Sequence, residues 1–168
     1  MNALRLTTAT SPDYGLLLAL DEENKRLVPA DLDGMLNRQF FGIPTGTDKF
    51  TIKYDEKTQC YISFVNNKTQ SMNYWSRNVL SMVVSKDLVH WDILDTILVD
   101  RTMMNFYCSL WKHGFQYVDW IADGDDLLLA VREAMGNSFN FHDSNHTCVY
   151  RIQNYEALIN QFYEKKGN

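Results

Sequence analysis

The chain has no run of about 18 or more apolar residues, so no segment reads as a membrane-spanning helix and no membrane partner is expected. It also lacks any concentration of positive charge. Lys and Arg number 16 against 21 Asp and Glu, a net charge of −5, and the two signs are interspersed. A face that neutralises phosphates needs clustered Lys and Arg, so nucleic acid is not an expected partner either. Cysteine is scarce. Cys60, Cys108 and Cys148 show no C-x-x-C or other ligand spacing, which makes isolated buried or half-buried thiols the plain reading. One disulfide with one cysteine left over is the alternative in an oxidising compartment. No metal site is singled out and no cofactor is expected. Met1 to Thr10 has neither the charged start nor the apolar stretch of a signal peptide, so export is not expected to be encoded there.

What the chain does have is strand pattern. Hydrophobic residues make up 45% of it and aromatics 13%, enough for one packed domain. Gly15 to Leu20 reads as an apolar strand, turned by the polar Asp21 to Lys25 into a second short strand, Arg26 to Pro29. Phe50 to Tyr54 alternates, Asp55 to Gln59 is a turn, and Cys60 to Val65 returns as its partner. Asn78 to Ser85 and Asp92 to Val99 complete a four-stranded meander. The order then restarts with Phe115 to Ala122, a tight Asp123-Gly124-Asp125 turn that tolerates positive φ, Asp126 to Glu133, and Thr147 to Ile152. Only Tyr155 to Tyr163 is helical in spacing, with Asn154 as N-cap, and it is expected to pack on the outside or fray.

Repeated meanders are the pattern of a β-propeller. The expected fold is therefore all-β: a partial β-propeller of about 2.5 four-stranded blades, with a short C-terminal helix, at about 40–50 residues per blade. Residues 1–49 would form a partial blade and connection, 50–100 one blade, 114–153 the last blade, and 154–168 the helix and tail. Too few blades are present to close a ring, so the rest would come from a longer parent or another chain.

Ser85-Lys86-Asp87-Leu88-Val89-His90-Trp91 lies between two strands and has the form S-x-D-x-x-x-W. Ser85 and Asp87 can accept backbone N–H groups to fix the turn, and Trp91 can cover it, so the motif reports fold and not catalysis. "SKDLVHW" resembles the Asp-box turn of BNR-type sialidases and five-bladed glycoside hydrolases. The wider set "DKFTIKYDEKTQCYISFVN", "RNVLSMVVSKDLVHWDI", "GFQYVDWIADGDDLLLAVREA" and "NFHDSNHTCVYRIQN" is similar to the C-terminal half of bacterial exo-α-sialidase-like proteins. That resemblance implies a secreted or periplasmic parent, a glycan partner and a pocket at the ring axis.

Gly114 to Trp120 begins the last blade, and polar side chains on such an inner strand would face the cavity. Asp119 is the first catalytic candidate, as acid, base or orienting carboxylate, the plainer role being a turn cap or a pair with Arg132. Gln116 and Asp119 fall on opposite faces of a regular strand, unless a bulge intervenes. His142 and Asp143, in the loop Asn140 to Asn145, could move protons, and Asn145 could bind a sugar hydroxyl. The loop is otherwise simply a polar, hydrogen-bonded connection. Gln116, Tyr117, Arg77, Asn78 and Arg132 are further substrate-binding candidates, since an arginine fork matches the carboxylate that sialidases hold. Surface or structural ion pairing is the plainer reading of both arginines.

A sialidase pocket further implies a Tyr–Glu nucleophile pair. Tyr117 and Glu133 are the right residue types, but nothing in their spacing pairs them. Trp75, Trp111 and Trp120 are sugar platforms or, more plainly, core. Two readings of function follow: a sialidase-like glycoside hydrolase segment acting on terminal sugars, its site completed by other blades, or a non-catalytic carbohydrate-binding or scaffold remnant. Open blade edges would favour self-association.

Overall fold

The computed structural model describes residues 2–5, 13–30, 40–45, 48–68, 76–102 and 105–167, and over these the chain is mostly β, in three antiparallel sheets. The first sheet joins β1 (Asn2–Arg5), β2 (Tyr14–Asp21), β3 (Arg26–Pro29) and β4 (Phe40–Gly42). Leu18 pairs with both Asn2 and Pro29, and Gly15 with both Arg5 and Phe41. A strand has two edges, so β3 and β4 lie end to end along the edge opposite β1. The Gly15–Phe41 pair explains the glycine. A Cβ at residue 15 would stand 2.5 Å from Phe41 Cζ, so the buried ring lies directly over bare backbone. Two strands were expected in this stretch. The short β1 and β4 carry too few alternating positions to announce themselves.

The second sheet is the expected meander: β5 (Ile52–Asp55), β6 (Cys60–Val65), β7 (Val79–Ser85) and β8 (Asp92–Val99), paired in that order. All seven residues of β7 are buried, and alternation sends them to two different cores. Leu80, Met82 and Val84 join Ile62 and Phe64 against the third sheet. Val83 joins Val65 against Leu17, Phe41 and Ile43 of the first. Each such side chain, fully buried, contributes about 1.5–3 kcal/mol, so the middle sheet is fixed from both sides. The Ser85–Trp91 turn follows the expected physics. Ser85 Oγ accepts from Leu88 N at 2.9 Å, and Asp87 Oδ1 accepts from Val89 N and His90 N at 2.9 and 2.8 Å. Trp91 Nε1 donates to Leu88 O at 3.0 Å, and its ring packs against the second core.

A helix that the sequence did not announce, α1 (Phe106–Lys112), leads into the third sheet. Its aromatic-rich letters have little helical periodicity, but Asn105 caps it by accepting from Cys108 N at 3.0 Å. The third sheet holds β9 (Gly114–Asp123), β10 (Asp126–Ala134) and β11 (His146–Ile152), the three strands expected in this stretch, with no fourth among the described residues to complete a four-stranded blade. Gly124 has φ +63°, as its turn requires.

The C-terminal helix α2 (Tyr155–Gly167) differs most from expectation. Tyr155 and Ile159 are buried in the core between the second and third sheets, so the helix belongs to that core and does not lie loosely outside it. Asn154 does not adopt N-cap geometry. It is left-handed, at φ +51°, and its N–H is held by Asp126 Oδ1 at 3.0 Å.

Candidate functional site

The site begins with an irregularity in β9. Ala130 pairs with Asp119 and Arg132 with Gln116, so Tyr117 and Val118 together stand opposite Val131. This is a β-bulge, and Tyr117 absorbs it with φ +50°, a left-handed conformation unusual for an aromatic residue. The bulge turns Tyr117 so that two cations meet its ring, Lys49 Nζ at 4.7 Å and the Arg132 guanidinium at 5.2 Å from the centroid. Each contact is worth about 0.5–2 kcal/mol and leaves the charges close together.

Beneath this lies a buried ionic cluster. Gly114 eases it: a Cβ there would stand 3.1 Å from Phe141 Cβ and 3.2 Å from Arg77 Cβ, a tight fit that would press on both neighbours. Phe115 N donates to Arg77 O at 2.8 Å, and Asn66 Nδ2 donates to Phe115 O at 2.8 Å. Arg77 Nη1 donates to Gln116 Oε1 at 2.7 Å, Arg77 Nε lies 3.3 Å from Asp48 Oδ1, and the guanidinium sits 5.2 Å from the Phe141 ring centroid. Asp48 also pairs with Lys68, whose Nζ donates to Ser76 O at 2.7 Å. The Lys68 and Asp48 side chains are 5% and 4% exposed. Burial pulls the Lys68 ammonium below its usual range, and the Asp48 carboxylate partly restores it. Gln116 Nε2 is buried with no partner.

The loop after β10 closes the rim. Arg132 Nη2 donates to His142 O at 3.0 Å. The His142 imidazole titrates below its usual range, through burial first and then the charges of Arg77 and Arg132, with Asp48 and Asp143 opposing. Asp143 accepts from Asn140 Nδ2 at 3.3 Å in the same exposed loop. Asn145 staples the loop to the end of β10, accepting from Met135 N at 3.1 Å and donating to Met135 O at 2.7 Å.

Among the expected residues, Arg77, Gln116, Tyr117, Arg132 and His142 therefore come together. Others do not join them. Asn78 is buried with its amide on Ser109 Oγ at 2.8 Å. Asp119 is exposed and pairs with Lys53 at 2.5 Å, not with Arg132, and that ammonium is the main reason its carboxyl stays below the usual carboxylate range. Glu133 is hydrogen-bonded by Tyr150 Oη at 2.5 Å rather than by Tyr117. Trp120 is core, Trp111 is half exposed, and Trp75 lies outside the described residues. All three cysteines are free thiols, Cys60 buried and the other two partly so.

The sequence reading missed Asp48, Lys49 and Lys68. They come from connections around the second sheet, and only their three-dimensional partners distinguish them from ordinary surface charges. Among the described residues, no group of three His, Cys, Asp or Glu side chains is placed to hold a metal ion. No protein-family model matches the chain, and neither does any curated protein or solved structure.

Proposed function

We propose that the chain is a segment of a sialidase-like β-propeller that recognises a terminal acidic sugar on a glycan, as part of a glycoside hydrolase. The observation that carries this reading is the exposed Arg132, whose guanidinium lies over the Tyr117 ring and holds the His142 carbonyl, with Lys49 over the same ring. An anionic sugar offers a carboxylate for Arg132, hydroxyls for His142, and an apolar face for Tyr117. Arg132 is exposed, and the guanidinium N–H groups that do not hold the His142 carbonyl can meet a ligand, whereas the buried Arg77 holds Gln116.

The propeller part of the reading is supported by how the sheets meet. Strand β9 of the third sheet approaches β6 and β7 of the second, Lys53 of β5 reaches Asp119, Lys49 just before β5 reaches Tyr117, and the middle sheet is covered on both faces. Neighbouring blades pack in this way around an axis. Closing a ring takes about four or more blades, so sheets beyond these three would complete the pocket.

One observation favours the second reading, binding without hydrolysis. Asp119 is held ionised by Lys53, which suits a structural or electrostatic role and not proton donation. Binding to a glycan array with sialylated and neutral termini tests the proposal. Binding to the acidic termini, lost in Arg132→Ala and kept in Asp119→Asn, is the expected result. Binding only to neutral termini, or none at all, would overturn it. Release of an aryl aglycone from acidic aryl glycosides, when further blades are supplied, would separate the hydrolase from the binding module.

A further inference from the structure

The third sheet ends on β11, and among the described residues no strand pairs with its outer edge. The second sheet shows what would fill that place. Its strands follow the same consecutive antiparallel order, and β8 takes the fourth position, the one left vacant beyond β11. A vacant edge presents a row of unpaired N–H and C=O groups, ready to accept another strand. This edge faces away from the second sheet, which β9 borders on the other side.

The two end strands are built differently. β8 carries Asp92 and Asp95, Asp92 is bound by Lys166 of α2 at 2.5 Å, and the ladder between β7 and β8 shifts register twice. Charges and irregular ladders are how edge strands avoid one another. β11 has neither guard. Between His146 and Ile152 it holds no Pro, Lys, Asp or Glu, and its ladder with β10 runs through seven pairs without a shift. Its one permanent charge, Arg151, is drawn back into its own sheet by Asp123 at 2.7 Å and Asp126 at 2.8 Å. Val149, at the centre of the strand, is 70% exposed.

β11 is also complementary to a copy of itself. Laid antiparallel about a two-fold axis at Val149, the strand sets Val149 against Val149, Cys148 against Tyr150, Thr147 against Arg151 and His146 against Ile152. No like charges are opposed, and the β-branched Val149 meets its equivalent, a favourable cross-strand pair. Ala130 pairs with Val149 and both are exposed, so an apolar row of Ala130, Val149, Val149 and Ala130 crosses the seam. Pairing β11 with β8 of another copy has no such closure and repeats head to tail into open filaments. We propose that two copies of this chain join β11 to β11 as a two-fold dimer, merging their third sheets into one sheet. The dimer does not rest on the acidic-sugar reading.

Sedimentation velocity of the full chain over a concentration series tests it. The expected result is a reversible monomer–dimer equilibrium, since a single strand seam is a small contact. Val149→Lys sets two ammonium groups face to face at the axis and should weaken the dimer about tenfold or more. Asp95→Lys, at an exposed position of β8, should leave the dimer unaffected. A disulfide reads the register. Val149→Cys with Cys148→Ser places two thiols opposite one another, at a Cα spacing of about 4.5–5.5 Å that a disulfide can span. Mild oxidation should then link the two residues 149, as peptide mapping would show. A chain that stays monomeric at its highest soluble concentration overturns the proposal, and slow hydrogen exchange along the outer edge of β11 in that monomer would give the edge to a strand of the same chain. Assembly beyond the dimer, a dimer indifferent to Val149→Lys, or no link between the residues 149 in folded protein would each overturn it as well.

Discussion

The Tyr155 hydroxyl donates to Asp55 Oδ1 at 3.0 Å, tying the first turn of α2 to the end of β5, 100 residues earlier in the chain. The same carboxylate accepts from Thr58 N and Thr58 Oγ1 at 2.8 and 2.7 Å, so it organises its own turn while anchoring the helix. Burial, reinforced by Asp55, pushes the Tyr155 phenol up to about 12, which keeps its proton in place at ordinary pH. Tyr155→Phe should therefore cost about 1–3 kcal/mol, through an acceptor left bare. Tyr155→Ala should cost about 3–5 kcal/mol, because a core ring is lost as well. Urea unfolding of the two variants measures both values.

The buried cluster around Asp48 makes a second prediction. Asp48→Ala leaves the Lys68 and Arg77 side chains, 5% and 10% exposed, without their carboxylate. Removing one partner of a buried ion pair costs about 3–5 kcal/mol. Replacing both partners, Asp48→Leu with Lys68→Met, removes the stranded charge and should recover much of that loss. A double-mutant cycle by chemical denaturation reads the coupling directly.

Asp87 predicts acid sensitivity at the Ser85–Trp91 turn. Burial works against its charge, but the His90 ring and the amides of His90 and Val89 hold the carboxyl down to about 2, from 3.8. A folded value below the unfolded one stabilises above the unfolded pKa, and that stability is lost as pH falls through the folded one. Wild-type stability should therefore fall between about pH 4 and pH 2. In Asp87→Asn the midpoint denaturant concentration should be lower at pH 6, and the fall on acidification shallower.

His142 reports the field at the candidate site. Its imidazole should titrate below the ordinary 6.5 in an NMR pH series. Arg132→Ala removes one of the two repelling cations, so the midpoint should rise toward the ordinary value. Asp143→Asn removes an attracting charge and should lower it further. Because the folded value is depressed, this histidine's contribution to stability is present above about pH 6.5 and is lost on acidification. A midpoint that does not respond to Arg132 would remove the electrostatic basis of the proposed sugar site.

Which features could be read from the letters depends on how far apart their causes lie. Cys60–Val65 and Asp92–Val99 coincide with the strands expected, because alternation and flanking turn residues are local signals. The turn at Ser85–Trp91 was legible for the same reason. The three-residue β4 and the helix α1 were not, since one is too short to alternate and the other depends on its cap at Asn105. Burial of α2 was equally hidden, because Tyr155 and Ile159 are paired with apolar residues of the second sheet. At the candidate site, residue types pointed to Arg77, Gln116, Tyr117, Arg132 and His142; Arg77 meets Gln116, and Arg132 meets the Tyr117 ring and the His142 carbonyl. Asp119 parts from them because Lys53, 66 positions earlier, captures it. The bulge at Tyr117 decides which side chains face which way, and no feature of the letters Gln-Tyr-Val marks it.

The burial of Tyr155 and Ile159 also bears on the order in which the molecule can be made. Synthesis delivers β5 to β8 before α2, yet one of their two apolar faces waits for residues of that later helix. A ribosome-bound chain that stops short of Tyr155 therefore presents Cys60, Ile62 and Met82 without the helix that seals them. Such an intermediate is a natural client for a chaperone that recognises bare aliphatic surface.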